Sequence, residues 1–396
     1  YFPKVFNDNS IFYYLCKYNY IILISKILNI HKNDYEIKDK NDIDEFINRA
    51  INENNSIQIY YLLMIKKSIT QKLIANNEYL KEISIPHVIE EIPKYAFSDC
   101  KSLLKISIPS SVNSIEIDAF VRCINLKHIS IPSSITSIKA NTFYKCSSLT
   151  HLSIPSSVTS IGHQAFAYCS SLTKVTIPYS VTSIGEKAFF ECSNLIAINI
   201  PSSIETIEKS AFEGCTSLKE ITFPSKLKII PLSLCERCSS LKQIIIPSSV
   251  TAIKYSAFNL CKSLSQITIF SSEIEFDICV FDGVVSVEII GNITTLPKRM
   301  FSGCKSLKRI IIPSSITSIS ANLFEKCKSL EQIITSSSVE SNETDPSAQL
   351  SIPSSVTSID EKAFSGCSSI YQVNIPSSVK LIGKCAFSEC TSLEQI

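Results

Sequence analysis

The stretch Ile177-Pro178-Tyr179-Ser180-Val181-Thr182-Ser183-Ile184-Gly185-Glu186-Lys187-Ala188-Phe189-Phe190-Glu191-Cys192-Ser193-Asn194-Leu195 is one copy of a unit that recurs every 23 residues. Counted on its proline, the unit starts at Pro86, Pro109, Pro132, Pro155, Pro178, Pro201, Pro224 and Pro247 without a slip. A fixed period in this range is the mark of a stack of like supersecondary units. With the proline at offset zero, Val or Ile stands at +3, Ile at +6, Ala-Phe at +10 and +11, Cys at +14, Leu at +17, Ile or Val at +20 and Ile at +22. A residue type held at one offset among varying neighbours points into a shared core. One such rung buries too little to fold alone, so the rungs must hold each other up.

The end of the unit, Leu172-Thr173-Lys174-Val175-Thr176-Ile177, alternates apolar and polar residues and is β-branched, which predicts a half-buried strand. Pro178 lacks a backbone N–H and ends it. The hydroxyls around the proline suit a turn. Val181 to Ile184 suits a second short extended element, and Glu186 to Cys192 suits a single helical turn. At +7, Gly162, Gly185 and Gly383 alternate with Pro93, Pro231 and Pro297, both residue types that punctuate turns.

The pattern L-x-x-[IV]-x-I-P-x-S-[VI]-x-x-I-x-x-x-A-F-x-x-C resembles the 23-residue leucine-rich repeat of BspA-like surface proteins. The resemblance runs from Leu80 to Ile396. Ser replaces the Asn of the commonest leucine-rich pattern, a departure that the BspA-like class shares. The expected fold is an α/β repeat solenoid, a leucine-rich-repeat stack of about fourteen rungs with one parallel strand per rung. The resemblance also implies a non-enzymatic cell-surface or extracellular protein that adheres to host or microbial surface molecules. The alternative is a cytoplasmic scaffold that holds protein partners.

The register breaks in three places. The rung that starts at Phe270 gives way to the next at Ile290, after 20 residues. Ser336 to Val339 mimics the P-S-S-V start, but the stretch up to Gln349 lacks the core Ile, Phe and Cys, and Pro353 follows after 17 residues. This reads as a degraded rung whose outer half is a polar loop. Cys235 takes a core Phe slot. The chain starts at Tyr1 and stops at Ile396 partway through a rung, so a fragment of a longer protein is expected.

Residues 1–79 lack the repeat and are rich in Asn, Ile, Lys and Tyr at helical spacing. A short all-α segment is expected there, and Ala50 to Leu63 resembles the helix pair of a degenerate ankyrin repeat without its T-P-L-H signature. A helical cap on the solenoid fits the same residues.

Lys plus Arg is 38 and Asp plus Glu is 36, a net charge of +2, which argues against a general nucleic-acid binder. No apolar run reaches the length of a membrane span. Twelve of the 16 cysteines recur at the inward offset +14, which predicts a ladder of free structural thiols rather than disulfides. Cys235-Glu-Arg-Cys238 lacks the second pair that a zinc site needs, and reads as core. No catalytic motif and no phosphate-cradling glycine loop is present, and no cofactor or metal is expected. Neither His31 nor His163 has a partner in the sequence. Sequons stand at Asn54, Asn292 and Asn342.

Partner information sits on the outward strand residues. At offset −4, Lys105, His128, His151 and Lys174 fall on consecutive rungs, a basic strip about 15 Å long at strand spacing. Like charges side by side repel, so an acidic protein segment, a sulfated glycan or a phosphate-bearing surface is the expected partner. The two histidines would add charge as pH falls below about 6.5. Gln332, Gln349, Gln372 and Gln395 form a second row at the same offset.

Overall fold

The computed structural model describes residues 81–85, 87, 89–336 and 350–395. The helical expectation for residues 1–79, ankyrin-like or cap, falls outside them. So does Gln349.

The described rungs stack as a parallel β-solenoid. On one side lies the expected strand, as in Lys105–Ser107, His151–Ser153 and Lys174–Thr176. These strands form parallel sheets of three, nine and two strands. Each rung pairs with the next one period on, for example Lys174 with Ala197 and Ala197 with Glu220. A second strand follows in most rungs, such as Ser160–Ile161 and Ser183–Ile184, with its own parallel partners. The rung therefore carries two strands, and the second lies in the Val181 to Ile184 piece that suits a second extended element.

The expected helical turn is absent: Glu186 to Cys192 and its equivalents are chains of turns. The backbone explains this. Residues at +9 and +13 take left-handed conformations whatever their side chain, as at Asn141 (φ 54), Lys145 (φ 60), Lys187 (φ 55) and Glu191 (φ 56). Such residues cannot continue a right-handed helix. Their neighbours bond across rungs instead. Phe143 N donates to Ala165 O of the next rung at 2.8 Å, and Cys146 N donates to Phe143 O in its own rung at 3.1 Å. Alternating bonds within and between rungs satisfy the groups a helix would have paired.

The interior follows the sequence pattern. Phe143, Phe166 and Phe189 are fully buried, with ring centroids 5.4 Å apart and nearly parallel planes. That separation fits offset stacking. Beside the rings runs the cysteine ladder. Most ladder thiols donate to the Phe carbonyl of the preceding rung, as Cys169 does to Phe143 O at 3.2 Å and Cys192 to Phe166 O at 3.2 Å. The cysteines are therefore hydrogen-bonding spacers as well as small apolar fillers. The second Ser of the P-S-S-V turn has a comparable role: Ser180 Oγ donates to Val158 O of the rung before at 2.6 Å.

The irregular rungs are absorbed differently. Cys235 interrupts the ring stack, and Phe223, in a slot that elsewhere holds Ile, meets Phe258 edge-to-face at 6.1 Å. The 20-residue rung is met by a slip of two residues on the strand side. Gln266 pairs with Glu288, while Ser286 pairs with Arg309. The offset −4 row therefore continues from Gln266 to Glu288 and not, as counting implies, to Ser286. A slip of two keeps every side chain on its face, so Val287 and Ile289 stay buried. Gly291 makes the tight exit possible, since a Cβ there would lie 2.2 Å from Ile269 O. At the degraded rung, the second strand Ser318–Ile319 pairs directly with Ser358–Ile359, and Phe324 stacks on Phe364 at 5.5 Å. The core thus passes from one full rung to the next, past the polar stretch.

Candidate functional site on the strand face

Alternation within each strand decides what faces outward. In Lys105–Ser107, Ile106 is buried and both flanking residues are exposed, and His151–Ser153 and Lys174–Thr176 repeat this. Lys105, His128, His151 and Lys174 are all exposed on one face.

Lys105 pairs in register with His128, and His151 with Lys174. Between these pairs lies a seam that the sequence does not show: the three-stranded sheet ends at His128–Ile129 and the nine-stranded sheet begins at His151–Ser153. The strip is therefore two hydrogen-bonded pairs on neighbouring rungs. Glu82 stands in register with Lys105 at one end, and the uncharged Ala197 adjoins Lys174 at the other. His151 Nδ1 lies 3.0 Å from Thr150 Oγ1, leaving the other ring nitrogen outward. Lys127, also exposed, adds a cation beside His128. Among the described residues, no carboxylate comes within ion-pair distance of the four strip residues. In the glutamine row, Gln372 and Gln395 form a parallel bridge and Gln332 belongs to the strand Gln332–Thr335.

Solenoid geometry, the Phe and Cys offsets and the outward strand face together meet the signature of one repeat class. The model of the BspA type Leucine rich repeat region matches residues 67–195, 159–288, 273–345 and 342–396. The chain belongs to that family. It is similar to a leucine-rich repeat protein from Bacteroides ovatus ATCC 8483, with 28% identity over 79% of this chain and 86% of that one, at a TM-score of 0.54. A leucine rich cell surface protein from Faecalibacterium prausnitzii A2-165 is 30% identical over 82% of this chain and 80% of its own, with a TM-score of 0.44. No curated protein matches.

Within this BspA-type solenoid the chemically tempting residues sit in the core. Cys235 and Cys238 are both fully buried. Cys238 donates to Phe212 O at 3.2 Å, as any ladder cysteine does, and Cys235 O accepts from Cys261 Sγ at 3.2 Å. Burial pushes the Cys169 thiol up to about 12, which removes the thiolate that redox or metal chemistry needs. All described cysteines are free, and only Cys385 is exposed. Among the described residues, no three His, Cys, Asp or Glu side chains cluster as metal ligands. No helix among them is long and apolar enough to cross a membrane.

Sequence reasoning left His163 unpartnered, but its Nδ1 lies 3.9 Å from Glu186 Oε2, and Lys209 reaches the same carboxylate at 3.4 Å. The three stand at offset +8 on successive rungs, so reading that column would have found them. Sequence reasoning also missed a ridge on the turn side. Tyr144, Tyr168 and Phe190 meet edge-to-face at 5.5 and 5.3 Å, and Lys145 Nζ lies 5.3 and 5.1 Å from the two tyrosine centroids. These groups satisfy one another, whereas the strand face holds unpaired charge.

Proposed function

We propose that this chain is an adhesin-like surface protein that binds an acidic partner through Lys105, His128, His151 and Lys174. One observation carries the reading: four exposed basic residues share one face on adjacent rungs, without a carboxylate in ion-pair reach among the described residues. An anion on this face meets the ammonium groups of Lys105 and Lys174 with the two imidazoles between them. The fixed rung spacing holds the cations ready, so binding orders little of the protein. The surface assignment is supported by the BspA-type repeat and by the 30% identity to a bacterial leucine rich cell surface protein.

The test uses heparin as a sulfated glycan and poly-glutamate as an acidic polypeptide. The Lys105→Glu/Lys174→Glu variant should bind the preferred probe at least about tenfold more weakly, with a shallower salt dependence, because exposed charge pairs are screened by salt. Unchanged affinity and unchanged salt dependence would dismiss the strip. Labelling intact cells with an impermeant reagent separates the surface reading from a scaffold inside the cell.

A further inference from the structure

Farther along the same face its character changes. Ile245, Phe270 and Ile290 are 46, 57 and 42% exposed, and Ile311 and Ile334 are half-buried beside them. Strand register arranges these residues. Ile245 pairs with Thr268, and Thr268 with Ile290. At the ordinary spacing Glu288 then pairs with Ile311, and Ile311 with Ile334. Without the slip, Ile290 would fall beyond the strand end, at the proline position of its rung. The short rung thus adds Ile290 to a patch whose other isoleucines stand at their regular outward offset.

Arg309 lies within this patch. It faces outward from the strand Arg309–Ile312, between Ser286 and Gln332 in register. Its Nε is buried and has no hydrogen-bond partner, and no ion pair reaches its guanidinium among the described residues. The nearby Glu288 is engaged by Gln266 Nε2 at 3.0 Å, and Lys308 by Glu331 at 3.3 Å. A guanidinium with a desolvated, unpaired Nε among isoleucines lacks the planar, bidentate acceptor that it binds best.

We propose that this patch docks a polypeptide segment of a partner protein that carries a carboxylate flanked by branched or aromatic apolar side chains. The carboxylate would take Arg309, and the apolar side chains would cover Ile245, Ile290 and Phe270. Glu288, the patch's own carboxylate, is already engaged by Gln266, so the charge left for a partner is that of Arg309 and of the exposed Lys242 beside the Ile245 strand, which favours an acidic segment over a basic one. A single guanidinium fits one carboxylate rather than a polyanion. Gln243, Gln266 and Gln332 interleave amides that match a peptide backbone. The patch is separate from the Lys105–Lys174 strip and does not depend on it.

The experiment is selection of a random-peptide display library on the full chain, followed by fluorescence anisotropy of the enriched peptides. Enriched peptides should carry Asp or Glu beside Ile, Leu, Val or Phe. They should bind Arg309→Gln and Ile290→Ser at least about tenfold more weakly, and Lys105→Glu/Lys174→Glu as wild type does. Circular dichroism checks that each variant folds, and Ile245→Ser, at an exposed position, supplies a further reading if one does not. Failure to enrich such peptides, or equal binding to Arg309→Gln and Ile245→Ser, overturns the proposal.

Discussion

Rungs from Lys105 to Lys174 and rungs from Ile245 to Ile334 share one interior and carry contrasting strand faces. Both bury Ile, Leu, Phe and Cys at the same offsets. The first set presents Lys and His above a row of Ser and Thr, and the second presents Ile and Phe around one arginine. Stacking constrains only the inward residues, because each rung must cover the next. The outward residues are free to differ. The second face, however, also reflects a change inside: the short rung shifts strand register by two, and that shift places Ile290 beside Thr268.

The largest expected effect tests whether the interior is common to both regions. Burial raises ladder thiols such as Cys146, Cys192 and Cys304, with Cys169 at about 12. A thiol whose folded value lies above its unfolded value of about 8.5 stabilises the fold fully below that pH and loses the contribution as pH rises toward the folded value. Stability should fall by about 1.4 kcal/mol per pH unit for each such thiol above pH ~8.5. Both regions should fail in one transition, followed by circular dichroism across pH 8–11. Among the described cysteines, a thiol reagent at neutral pH should modify Cys385 first and half-buried Cys279 next, with the ladder protected until unfolding. Early modification of ladder cysteines would break the shared-interior picture.

A ring removed from the regular region comes second. Phe166→Ala leaves Phe143 and Phe189 without the ring that each meets at 5.4 Å, and should cost about 3–5 kcal/mol in urea unfolding. A smaller effect sits where the two regions join. Cys235→Phe restores the repeat pattern, but Phe223 already packs on Phe258, so overpacking should cost about 1–3 kcal/mol. Adding Phe223→Ile should recover most of it. A double-mutant cycle that shows simple additivity would refute the compensation.

Most of the fold was legible because the period is long and uninterrupted. Phe166, Cys169 and Val175 announced their burial by recurring, and Lys105 to Lys174 announced a shared face by the same count. Among the details that differed, two are local. The turns at Glu186 to Cys192 look helical by apolar spacing, but Lys187 and Glu191 are left-handed, and only the glycines at the +13 offset, such as Gly214 and Gly303, hinted at it. The seam between His128 and His151 leaves no trace in residue type, since the same hydrophobic alternation continues across it.

The sequence by itself determined the rung, its inward residues and the order of its outward ones, because a strict period leaves one way to stack a hydrophobic stripe. The tertiary structure alone decided register and partners: Phe223 packed on Phe258, Glu288 rather than Ser286 facing Gln266, and Arg309 left without an ion pair among the described residues. These depend on distances between rungs, and packing adjusts such distances only when neighbouring rungs differ.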